Sequence, residues 1–163
     1  MNVIDILRYG HETVVTAVAE LPESEWDVPG VCGNWSVKDI VAHLASFEQL
    51  LIEVSLSVLQ NDPPTPVLDL LLVDEARFND IEVAKRRDHT IEVIWTEYET
   101  AYETAVSLIN QIPQEKLRQK GLLPWYGPAY DLEDFLVYTY YGHKREHCAQ
   151  IDLFRDRLTT QAG

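Results

Sequence analysis

Two histidines one helical turn apart carry the clearest chemical signal in this chain. His143 and His147 stand in the run YYGHKREHC. At about 100° per residue, helical positions four apart differ by about 40° around the axis, so both imidazoles share a face. Such a pair can grip one metal ion, as helix-borne zinc pairs do. The run lacks the glutamate of HExxH, which argues against a zinc protease. Leu136, Tyr140, Ile151 and Phe154 fall on the same stripe, so the pair points into a core. Buried imidazoles need a partner for each ring nitrogen. A metal supplies one for each; hydrogen bonds to buried carbonyls or carboxylates would also do so.

A metal held this way needs a third ligand, and His43 is the best placed. It lies at the edge of the stripe formed by Ile40, Leu44, Phe47 and Leu51. His11 has an acidic neighbour and His89 follows the charged run KRRD, so both read as solvated or locally hydrogen-bonded. Three histidines from two helices leave a coordination position open, the mark of a catalytic metal. Unperturbed imidazoles would release the ion as pH falls through about 6.5. Glu48 and Glu146 read as surface carboxylates, and Cys148 as a small packed residue.

Four helical segments must position these residues. The first spans about 2–20, with Val3, Ile6, Leu7, Val14 and Val18 at helical spacing. LPESEWDVPGVCGN breaks it. The second spans about 37–60, with Ser36 as N-cap and Asp39 three residues on. NDPPTP ends it. The third is long, about 68–109, with a break expected near Lys85–Asp88. The stretch 111–130 reads as a loop with one short helical turn. The fourth starts after Asp131 and runs to about Leu158, with Asp134 in its first turn. No alternating strand pattern competes. The expectation is an all-α four-helix bundle, one domain over residues 1–160.

Composition narrows the partners. The chain has 163 residues, 13 basic and 27 acidic, and a net charge of −14. Such a surface repels phosphate backbones and anionic bilayers, so neither nucleic acid nor membrane is an expected partner. Cys32 and Cys148 form no disulfide framework. No secretory pattern opens the chain and no apolar run approaches a membrane span, which reads as a cytoplasmic protein.

The segment GNWSVKDIVAHLASFEQLL, a long third helix and YGHKREHCAQIDLF together resemble the DinB-like superfamily of four-helix bundles. That superfamily includes the YfiT-like proteins and the mycothiol-dependent maleylpyruvate isomerase N-domains. The resemblance covers nearly the whole chain. It implies a divalent metal, nickel or zinc, held by His43, His143 and His147. It also implies a low-molecular-weight thiol as cofactor, a small-molecule substrate and a homodimer. The function implied is a metal-dependent S-transferase or hydrolase. In that reading Phe47, Trp125 and Tyr140 wall a substrate pocket; the favoured alternative for Trp125 and Tyr126 is that they cap the end of the bundle. WSVKD, ARFND and LLPWYGP are similar to features of the ClbS/DfsB-like branch, where the metal histidines are not the rule. That branch implies instead a non-catalytic module that binds or sequesters an apolar small molecule. A dimerisation module with remnant histidines is a third reading.

Overall fold

The structure is a computed structural model that describes the backbone of residues 2–161. It is all-α, with no strand among the described residues and one isolated bridge between Cys32 and Trp35. Helix α1 spans Val3–Val18 and α2 spans Val37–Leu59. A crossover carries α3, Pro66–Val73, and α4, Glu75–Lys85, before α5, Ile91–Ile109. A second connection carries the single turn α6, Gln114–Leu117. The last long element is α7, Leu132–Leu136, a π-helical segment Val137–Gly142, and α8, His143–Gln161. Four elements form the bundle: α1, α2, α5 and the composite α7–π–α8. Helix α2 packs on α5, and α1 packs on the π segment and α8.

Local chemistry explains the boundaries. At α2 the Ser36 side chain accepts from the Asp39 amide while Asp39 accepts from the Ser36 amide, a complete capping box. Asp131 and Asp134 repeat the device at α7. The long third segment differs from expectation. The break after Lys85 is present, but a second one falls at Asp74, whose backbone (φ −144°, ψ 61°) leaves the helical region. The start of α3 is capped from outside. The Glu53 carboxylate, on α2, accepts from the amides of Val67 and Leu68 at 2.8–3.1 Å. It satisfies donors that the first turn leaves free.

Helix α2 is the one described helix with the length and hydropathy to cross a membrane, but 72% of its most apolar stretch is buried within the fold. It is therefore the core helix of the bundle. The core has two apolar clusters. One holds Val37–Leu44 positions of α2 with Trp26, Tyr98, Cys148 and Ile151. The other holds Leu50, Leu51 and Val54 with Leu132, Leu136 and Tyr140. Between them along α2 and α8 lies a layer of buried polar groups: His43, Ser46, Glu48, Lys144 and His147.

Candidate metal centre

Each ligand candidate is aimed by its own helix. His43 is 1% exposed on α2, and His143 and His147 open α8 on one face. The Nε2 atom of His143 lies 2.9 Å from Nε2 of His43 and 3.0 Å from Nε2 of His147. The three ligand nitrogens all lie within 4.8 Å of one another, a group able to hold a metal ion. The sequence expectation that these three rings meet matches the geometry. His89 is exposed. Of the two alternatives expected for His11, solvated or locally hydrogen-bonded, it is hydrogen-bonded, though to a distant partner: its Nδ1 lies 3.2 Å from the Tyr98 hydroxyl and its ring stacks on Tyr102 at 3.8 Å.

The atoms behind the rings decide which nitrogen faces the centre. His147 Nδ1 lies 2.9 Å from Gln150 Oε1, an acceptor, so this nitrogen carries the proton. His143 is hydrogen-bonded to the Thr139 backbone, which favours its proton on Nδ1 as well. Both Nε2 atoms then present lone pairs to each other at 3.0 Å. Two lone pairs so close repel unless a cation lies between them, and partners of this kind behind the ring are usual for metal-bound histidine. Burial first, then the neighbouring imidazoles, lowers the pKa of His43 to about 2. The same causes lower His143 to about 4, and burial lowers His147. All three are neutral ligands at neutral pH, as binding requires.

Two features set the position of His143. The π segment immediately before it, of a kind common at functional sites, changes the winding of the helix there. Gly10 of α1 lies against this segment: a Cβ on Gly10 would stand 2.3 Å from the Tyr140 carbonyl oxygen. The second feature is a buried ion pair. The Lys144 ammonium meets the Glu48 carboxylate, with both side chains 1% exposed or less. No further group bonds either one, so each charge depends on the other. The same ammonium lies 5.4 Å from the centres of the Tyr98 and Tyr102 rings. Glu48 is thus a core residue and not the surface carboxylate expected from sequence. Glu146 is exposed, as expected. Burial pushes the Cys148 thiol up to about 12, which leaves it inert at neutral pH.

Aromatic rings enclose the centre. Phe47 lies 4.8 Å from His43 and 4.7 Å from His143. Trp35 covers the opposite side, 5.0 Å from His43 and 6.4 Å from His147. Trp35 belongs to the tryptophan-serine motif that carries the family resemblance, but sequence reasoning assigned it no role at the metal centre. The turn at Cys32–Trp35, with Gly33 at φ +58°, presents its indole. Each of these walls also borders a cavity. Phe47 and Trp125 line a 330 Å³ pocket with Leu50, Leu71, Phe135 and Thr139. Trp35 borders a 550 Å³ groove with Asn34, Asp39, Arg77, Asp80 and Arg87. Tyr140, expected as a third pocket wall, is fully buried instead. Its hydroxyl donates to the Phe47 carbonyl at 2.7 Å, so it supports the wall from behind.

The all-α bundle is that of the DinB/YfiT-like helical superfamily. The chain belongs, within it, to the family of the mycothiol maleylpyruvate isomerase N-terminal domain, whose match covers residues 7–136. That stretch contains His43 and both aromatic walls but stops short of His143 and His147. Comparison with curated proteins and with solved structures finds no significant match.

Proposed function

We propose that this protein is a metal-dependent enzyme that uses a low-molecular-weight thiol to transfer or cleave a group on a small molecule. The observation that carries the reading is the meeting of three neutral imidazoles at their Nε2 atoms, two of which, His143 and His147, have partners that turn their lone pairs toward one point, while His43 Nδ1 is buried without a partner. Imidazole nitrogens suit zinc and nickel. No carboxylate or thiol joins the three among the described residues, so an ion here would keep its charge and an open position. Bound there, it would lower the pKa of a thiol or water.

The chain's own residues supply the rest. Phe47 and Trp35 exclude water from the two sides of the histidine cluster. Gln150 and the Thr139 backbone hold the imidazole orientations. The two cavities differ in their side chains: the Trp35 groove carries Asn34, Asp39, Asp80, Arg77 and Arg87, and the Phe47 pocket is lined mainly by aromatic and leucine side chains. A polar cosubstrate on one side and an apolar one on the other fits a two-substrate reaction. The family name, with its thiol, agrees with this reading.

Metal per chain, measured on untagged protein supplied with zinc or nickel, tests it. Wild type and His89→Ala should hold about one ion, and His43→Ala, His143→Ala and His147→Ala should lose it. Equal occupancy in all variants, or none in wild type, refutes the metal reading. The aromatic-lined pocket at Phe47 and Trp125 favours one second reading, a non-catalytic module that sequesters an apolar molecule. It requires ligand binding that survives chelation with no turnover.

A further inference from the structure

The 330 Å³ pocket behind Phe47 has a composition that selects its ligand. Four aromatic rings border it: Phe47, Trp125, Tyr126 and Phe135. Phe135 meets Trp125 edge-on at 5.4 Å and 89°, and lies 5.0 Å from Tyr126. Leucines complete the walls. The lining includes one ionisable carboxylate, the exposed Glu75, and no lysine, arginine or histidine. The nearby Arg77 borders the other cavity and is already bonded to Asp74 at 2.8 Å. A carboxylate ligand would shed part of its water against these rings and gain no cation in return. A flat apolar ring would gain aromatic contacts on several sides, and a cation would gain ring faces and Glu75 besides.

We propose that this pocket binds a neutral or cationic aromatic small molecule and rejects mono- and dicarboxylates. The inference rests on the reading of the histidine cluster as a reaction centre only for what happens after binding. The selection itself belongs to the pocket. It departs from the family name, which denotes a dicarboxylic substrate.

Calorimetric titration of the metal-free protein tests it with four probes: 2-naphthylmethanol, 2-naphthylmethylammonium, 2-naphthoate and maleate. The alcohol and the ammonium should bind at least tenfold more tightly than 2-naphthoate, and maleate should not bind. Trp125→Ala should weaken the alcohol at least tenfold. Leu71→Arg, which places a cation in the wall, should weaken the ammonium and strengthen 2-naphthoate. Glu75→Lys should narrow or reverse the preference for ammonium over carboxylate. The proposal is overturned if either carboxylate binds as tightly as the alcohol, if no probe binds, or if folded Leu71→Arg leaves the preference unchanged. Metal loss in the histidine variants is read separately, so either reading can fail while the other stands.

Discussion

Gly10 and Tyr140 approach so closely that only hydrogen fits between the α1 backbone and the Tyr140 carbonyl. A Cβ on Gly10 would lie 2.3 Å from that oxygen and 3.3 Å from its carbon, both backbone atoms that cannot swing aside. Gly10→Ala should therefore push α1 away or reshape the π segment, at a cost of about 1–3 kcal/mol. Because His143 follows that segment, zinc affinity should fall as well. Gly142→Ala is the control. Its nearest neighbour would be the Val137 carbonyl oxygen at 3.5 Å, an ordinary contact, and its stability should hold or rise by about 0.5–1 kcal/mol. Urea unfolding and zinc competition assays check both; equal losses in the two variants would refute the close-approach account.

Lys144 and Glu48 yield a second prediction. Lys144→Met leaves a carboxylate buried without its cation, which costs about 3–5 kcal/mol. Burial raises the Glu48 pKa against the pull of Lys144, so the lone carboxyl should take up a proton. Glu48→Leu with Lys144→Met removes both charges and should regain most of the stability. A double-mutant cycle in urea reads the coupling, and additive single effects would show that the pair contributes nothing jointly.

The pH response of metal binding should differ from that of free imidazole. Ordinary histidines would release an ion as pH falls through about 6.5. Here burial and mutual repulsion hold His143 at about 4 and His43 at about 2. Protons therefore compete only at lower pH. Zinc occupancy should persist at about pH 5.5 and fall toward about pH 4. Release centred near the ordinary histidine value would show that the rings are not desolvated.

His11 predicts a pH effect on the metal-free fold. Burial first, then the Lys144 charge, lowers its pKa to about 4. The ring is neutral in the folded state at neutral pH, so its 3.6 Å contact with Glu99 is not an ion pair there. Between about 6.5 and 4 the unfolded chain binds more protons at this site than the folded one. This contribution is fully present above the unfolded value and is lost as pH falls toward 4. Replacing His11 by Gln should flatten the loss of stability across that window. An unchanged slope in thermal unfolding would count against it.

Most of this architecture was readable from spacing. Ser36 with Asp39, Asp131, and the prolines after Gln60 place helix ends through local chemistry that needs no tertiary contact. The meeting of His43 with His143 and His147 followed from stripe positions on two helices. Other features depend on packing that spacing does not encode. The break at Asp74 arises where two short helices turn over the bundle. The π segment is tied to a contact with Gly10, more than a hundred residues away in sequence. Glu48 and Lys144 did leave a trace. Glu48 falls between Leu44 and Leu51 on one stripe, and Lys144 between Tyr140 and Ile151 on another. Charge at a stripe position was the available signal for a buried pair.

The Glu53 clasp on α3 separates two kinds of inheritance in this molecule. The nitrogen donors ride on α2 and α8, within the rigid core. Much of the apolar pocket's wall rides on α3, the start of α4 and the connection around Trp125, outside the four bundle helices. Glu53 fastens α3 at its first turn and leaves Leu72 and Val73 at its far end 52% and 85% exposed. Replacements at Leu71, Leu72 or Glu75 should therefore alter what the pocket admits while leaving the histidines in place. Descendants of such a scaffold can change diet while keeping the same teeth.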